Sequence, residues 1–157
     1  MPDNMPSKLN LFISYAHADE DLKNELDKHL VMLKRLGKIN VWNDRKLIPG
    51  QLWDDEIKNE LTNAHIILLL VSADFNNSEY IWDKELASAM KRHEEGTARV
   101  VPVILRKCEW QEMPYAKLQA LPKGAKSVTE FANRDDAFTD IAAGIRILVD
   151  YMLAKQN

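Results

Sequence analysis

The sequence predicts an α/β domain of flavodoxin-like architecture, a three-layer sandwich around a five-stranded parallel sheet in the order 2-1-3-4-5. Short apolar β-rich runs alternate with amphipathic helical stretches, the pattern that builds a parallel sheet through right-handed crossovers. One run, His65 to Val71 (HIILLLV), is apolar throughout, so both its faces must be covered and it belongs at the sheet centre. The length, 157 residues, suits one domain with one real core and not two.

Residues 1–7 carry two prolines and little apolar content and read as a disordered lead-in to a domain over residues 8–154. Leu9, Leu11, Phe12 and Ile13 make the first strand. Leu22, Leu26, Leu30 and Leu33, at spacings of four and three, give one face of a helix over residues 19–36. Asp19, Glu20 and Asp21 suit its positive end, Lys34 and Arg35 its negative end, and Gly37 stops it. Ile39 to Trp42 form the second strand. Residues 43–51 are a polar loop with a Pro49-Gly50 turn signal, and a helix over 52–63 presents Trp53, Ile57 and Leu61 as core.

After the central strand, residues 72–77 read as a loop. Asn77 or Ser78 caps a helix that runs from about Ser78 to Glu95. Arg99 to Leu105 is the fourth strand; its Pro102 has no N–H to donate, which places it at an edge or in a disturbed ladder. Residues 106–126 are a long connection and Ser127 to Phe131 a short fifth strand. Asn133 caps the last helix, whose buried face carries Phe138, Ile141, Ile145, Leu148 and Met152.

With 21 basic and 24 acidic residues the net charge is -3, which removes the usual electrostatic case for a nucleic-acid or anionic-membrane binder while leaving room for a local basic patch. A single cysteine, Cys108, makes no internal disulfide and fits a reducing, cytoplasmic setting. No apolar run approaches membrane-spanning length, and the first ten residues hold no signal-like segment. His17, His29, His65 and His93 are too dispersed for a metal site, and neither a G-x-G-x-x-G nor a P-loop motif occurs. A phosphoreceiver shares the topology but needs an acidic pair after strand one, where this chain has Ser14-Tyr15-Ala16-His17.

In an open parallel sheet, ligands bind beyond the carboxyl ends of the strands at the switch point, here between strands one and three. That selects residues 14–18, 43–52 and 72–78. The residues there carry a resemblance. Leu11 to Tyr15 (LFISY) is similar to box 1 of Toll/interleukin-1 receptor (TIR) domains, and Asp44 to Trp53 (DRKLIPGQLW) resembles their BB loop. Ser72 to Leu86 (SADFNNSEYIWDKEL) resembles the segment that holds the catalytic glutamate of NAD-cleaving TIR domains. Segments 90–110, 118–123 and 133–145 look like the bacterial branch, so the resemblance spans nearly the whole chain.

The resemblance implies a catalytic role for Glu85. It also implies one of two functions: cleavage of NAD+ to nicotinamide and ADP-ribose or a cyclic ADP-ribose signal, activated by self-assembly and used in antiphage defence, or a non-catalytic scaffold working through TIR–TIR contacts. NAD+ would be substrate, with no cofactor or metal. A homo-oligomer or filament, and a sensor domain in a longer protein, are the implied partners. Helical spacing puts Glu85 on one face with Trp82 and Ala89. Trp82 reads equally as ligand wall or core packing, and Tyr15 equally as a nucleotide contact or a cap over the sheet edge. Where NAD-cleaving relatives carry a basic residue, this chain has His17; Arg45 and Lys46 in the BB loop can supply positive charge instead, or be solvated. Gly50 permits the loop's turn, and Leu52 follows it against the substrate. Trp110 matches a tryptophan that completes the site from a neighbouring protomer; packing on its own domain is the competing reading.

Overall fold

The computed structural model describes residues 8–43 and 53–155. The expectations for the lead-in and for Arg45, Lys46, Gly50 and Leu52 lie outside the described residues, as does the side chain of Trp53. The elements are β1 (Leu9–Ser14), α1 (Glu20–His29), α2 (Val31–Arg35), β2 (Ile39–Trp42), α3 (Trp53–Asn63), β3 (Ile66–Val71), α4 (Ala73–Asn77), a π-helical segment (Ile81–Leu86) leading into α5 (Ala87–Glu94), β4 (Arg99–Ile104) and α6 (Arg134–Lys155). The sheet is parallel, in the order β2-β1-β3-β4.

The period of two in the strands sorts the core into two layers. Ile66, Leu68 and Leu70 of β3, with Leu9, Leu11 and Ile13 of β1, face α1, α2 and α6. Ile67, Leu69 and Val71, with Phe12, face α3, α4, the π segment and α5. All six β3 side chains are fully covered, as the uninterrupted apolar run predicts. Truncating one of them, as in Leu68→Ala, costs about 3 kcal/mol through lost burial and the cavity left behind.

Three expectations are corrected. The helix predicted over 19–36 is two helices. Leu30 leaves helical geometry between α1 and α2 while its side chain stays buried, and residues 17–19 form a 3-10 turn. Residues 72–77, read as a loop, contain α4, capped by Ser72 Oγ, which accepts from the Phe75 N–H at 3.1 Å. The fifth strand is not found among the described residues. Val128–Glu130 is instead a 3-10 turn with its own capping box, in which the Ser127 hydroxyl and N–H both donate to Glu130. These local bonds satisfy groups that a strand would have offered to a ladder, and they hold the Glu130 carboxyl below its ordinary pKa.

The absence of that strand leaves β4 at the edge, the placement that Pro102 predicts. The outward groups of β4 are otherwise engaged. The Val100 N–H donates to His93 Nδ1 at 3.1 Å, the Leu121 N–H donates to the Pro102 carbonyl, and the Ile104 N–H donates to the Leu121 carbonyl. Gly37 ends α2 at a φ of 71°, a left-handed conformation that glycine adopts at no steric cost.

Candidate active site

β1 alternates, so Ser14 shares the face of Phe12 and points toward the layer that contains the π segment. There the Ser14 hydroxyl donates to Glu85 Oε1 at 2.6 Å, a buried contact. Glu85 is only 8% exposed. It lines a narrow recess with Phe12, Ile13, Tyr15, Trp42 and Ile57, beyond the carboxyl end of β1. A buried carboxylate is costly unless its oxygens are hydrogen-bonded, and a bond from a hydroxyl to an ionised group is among the stronger kinds.

The π segment corrects the expected helix face. Its i→i+5 pairing adds a residue to each turn and rotates side chains away from α-helical register. Glu85 and Ala89 stay inside, but Trp82 turns outward and is 43% exposed, while Ile81 is buried. Core packing for Trp82 is therefore ruled out, and the aromatic wall of the recess comes from Phe12, Tyr15 and Trp42. Phe12 and Trp42 stack with ring centroids 5.3 Å apart. Ser78 Oγ accepts from the Ile81 N–H at 3.2 Å, which makes Ser78 the cap that the sequence predicts. The Tyr80 hydroxyl donates to Asp54 Oδ1 at 3.0 Å, tying the start of this helix to α3.

Tyr15 is buried beside Glu85, and the Lys23 ammonium sits 5.0 Å from its ring centroid, a cation–π arrangement. His17 is exposed, with its ring edge-on to Tyr15 at 6.2 Å. Trp110 is half-buried in the connection after β4 and packs partly against the layer of Phe75 and Tyr115. The structure thus brings Glu85 and Tyr15 together, sets His17 next to Tyr15, and leaves Trp82 and Trp110 outside the recess lining.

Sequence reasoning placed Ser14 in the first switch-point loop without a role, and it missed Lys23. The alternation Phe12, Ser14 was the available signal for the first. Nothing in the pattern marked Lys23, which faces the core from α1. It also missed a second polar cluster. Asp19, read as an N-terminal helix charge, is fully buried and accepts from Arg106 Nε at 2.7 Å through Oδ1 and from the Ser72 hydroxyl through Oδ2; Arg106 also pairs with Asp74. The hydrogen bonds to Asp19 and then Asp74 hold the guanidinium above its ordinary pKa. This cluster ties the turn after β1 to the ends of β3 and β4.

The histidines play structural parts. His65 Nδ1 accepts from the Asn10 N–H at 2.8 Å and His93 Nδ1 from Val100; burial, aided by nearby cations, lowers both pKa values. Cys108 is half-buried beside Asn76, and burial pushes its thiol pKa up, away from nucleophilic character. Among the described residues no group of side chains is placed to hold a metal ion, and no helix is long and apolar enough to cross a membrane.

A sequence profile of the TIR domain matches residues 11–142. An uncharacterized protein, y4lF, of Sinorhizobium fredii is 45% identical over 142 residues, which is 90% of this chain; the chain spans 43% of that relative's length. Among solved structures, the RPS4 and RRS1 TIR domain heterodimer aligns over 88% of this chain and 96% of its own at 15% identity and a TM-score of 0.54. The TIR domain of the Toll-related receptor TRR-2 from Hydra magnipapillata aligns over 71% of this chain and 82% of its own, at 19% identity and a TM-score of 0.49. At 15% identity the heterodimer structure speaks for the fold alone, while the profile match covers most of the chain: this protein belongs to the TIR-domain family.

Proposed function

We propose that the protein is an NAD+ glycohydrolase of TIR type. The observation that carries the reading is Glu85: a buried carboxylate held by Ser14 on the wall of a recess at the carboxyl end of β1. In the reaction the bond between C1′ of the ribose and the nicotinamide nitrogen breaks, and its electron pair leaves with neutral nicotinamide. Water then adds to C1′ and loses a proton, giving ADP-ribose; attack by an atom of the ADP-ribose itself gives a cyclic product. Because nicotinamide departs without being protonated, one carboxylate suffices. Glu85 stabilises the positive charge that develops on the ribose ring. The aromatic rings of Phe12, Tyr15 and Trp42 exclude water, which strengthens that interaction.

The recess alone is too small for a dinucleotide, which spans a pocket of several hundred cubic ångströms. In this reading Arg45 and Lys46 of the loop, with His17, face the phosphates, while Gly50 and Leu52 shape the loop's approach to the substrate. In the same reading Trp82 contacts the substrate from outside the recess lining, and Trp110 closes the site of a neighbouring protomer. The site is therefore complete only in a self-assembled state. A cytoplasmic effector of antiphage defence, coupled to a sensor domain in a longer protein, is the setting that fits. NAD+ is the substrate, and no further cofactor, metal, nucleic acid or membrane takes part.

The second reading is a scaffold that acts through TIR–TIR contacts alone. The small recess favours it, as does a structural neighbour that is a heterodimer of TIR domains. Release of nicotinamide from NAD+ by concentrated protein, abolished in Glu85→Gln, supports the enzyme. Self-association that depends on Gly50 and Trp110, with no release, supports the scaffold.

A further inference from the structure

A second cavity lies away from Glu85. It is a groove of about 710 Å³ between β4, the 117–121 segment and α6, and it shares no lining residue with the Glu85 recess. Val101, Leu118, Leu121, Ile145, Leu148 and Met152 form an aliphatic trough. Leu148 and Met152, expected on the buried face of the last helix, are only half-covered and belong to this trough, while Val149 takes the fully buried position.

The charge around the trough is one-sided. Arg99, Lys117 and Lys155 line the groove with His93, and no acidic residue does, in a chain with more acids than bases. Arg99 makes no ion pair among the described residues, and Lys117 has only a long, exposed contact with Glu94 at 3.8 Å. His93 spends Nδ1 on the Val100 N–H, so its proton is on Nε2 and that atom is a donor. Arg99 and Lys117 act on the His93 ring, as does Glu94 with the opposite sign but from outside the lining, which sets Arg99, Lys117 and His93 near one end of the trough.

An added strand does not fit this edge. Pro102 has no N–H, and the N–H groups of Val100 and Ile104 are already bonded to His93 and Leu121. What remains is an apolar channel with cationic donors at one end. Flexible leucines and a methionine suit a chain that bends. We propose that this groove binds a soluble single-chain amphipathic anion, its alkyl tail along the trough and its carboxylate or phosphate head on Arg99 and Lys117.

The test titrates the isotope-labelled 157-residue chain with dodecanoate below its micelle concentration and, separately, with dodecyltrimethylammonium. Saturable one-to-one shifts at the methyl groups of Val101, Ile145 and Leu148 are expected for dodecanoate, with the cation at least about tenfold weaker. The double variant Arg99→Ala, Lys117→Ala replaces surface side chains; it keeps the thermal midpoint and weakens dodecanoate about tenfold. No saturable shift, equal affinity for the cation, or an unchanged double variant overturns the proposal. So does binding to anionic vesicles without binding to monomeric dodecanoate, which assigns the face to a membrane surface. Trough methyls that shift on dilution of the protein alone, in a species that Arg99→Glu disperses, also overturn it and assign the face to a second copy.

Discussion

Asp19 and Glu85 are the two buried carboxylates among the described residues, and both lie near the carboxyl ends of the central strands. Their surroundings differ. Asp19 has both oxygens engaged, one by a guanidinium and one by a hydroxyl, and it is not among the residues lining the Glu85 recess. Glu85 accepts from the Ser14 hydroxyl and forms part of a recess wall. Burial by itself therefore does not mark a reacting group. A carboxylate paired with a guanidinium fixes a turn, whereas one on the wall of a recess is placed to meet developing positive charge.

The contrast can be broken from either side. Glu85→Gln keeps the shape and a hydrogen bond to Ser14. It is expected to lower nicotinamide release about a thousandfold, the loss of one preorganised electrostatic group, with a urea midpoint close to that of the unaltered chain. Asp19→Ala does the opposite. It leaves Arg106 and Ser72 without their buried partner and destabilises by about 3 kcal/mol, the low end for a broken buried pair because Arg106 is partly exposed. Equilibrium urea unfolding measures that loss. Activity per folded molecule is expected to persist, so a specific loss of turnover in the folded fraction would erase the distinction.

Ser14→Ala gives a smaller effect, about tenfold in kcat, since one bond to a charged group is lost. KM changes little, and Ser14→Thr restores much of the rate. A fall in stability with kcat unchanged would make Ser14 a packing residue only.

The smallest effect concerns His65 and His93, whose pKa values are lowered in the folded state. The unfolded chain then binds more protons near pH 6, so their contribution is whole above the unfolded value of about 6.5 and is lost as pH falls through the folded values. The urea midpoint is expected to drop between pH 7.5 and 5.5, and to drop less in His93→Gln. A midpoint that rises on acidification would contradict the assignment of both rings as half-buried and neutral.

Much of the fold was legible because hydrophobic periodicity is a strong signal. The β3 run, the α3 and α6 stripes and the edge position of Pro102 all follow from residue pattern alone. What escaped depends on competition that pattern does not encode. Ser127 and Glu130 bond to each other locally and so consume the groups of a fifth strand. The break at Leu30 leaves the leucine stripe intact, so periodicity could not expose it.

The site divides in the same way. Glu85 and Tyr15 were reachable through resemblance to TIR domains and the switch-point rule. The outward turn of Trp82 was not, because α-helical spacing fails inside a π segment. Asp19 looked like an ordinary helix-start acid until Arg106, 87 residues away in sequence, proved to be its partner.

The most direct test of the central claim is nicotinamide release from NAD+ by concentrated, self-associated protein, compared with Glu85→Gln at the same concentration and assembly state. Turnover by the unaltered chain and near-complete loss in the variant is the predicted result. No release by the assembled unaltered chain, or equal release by both, would contradict it.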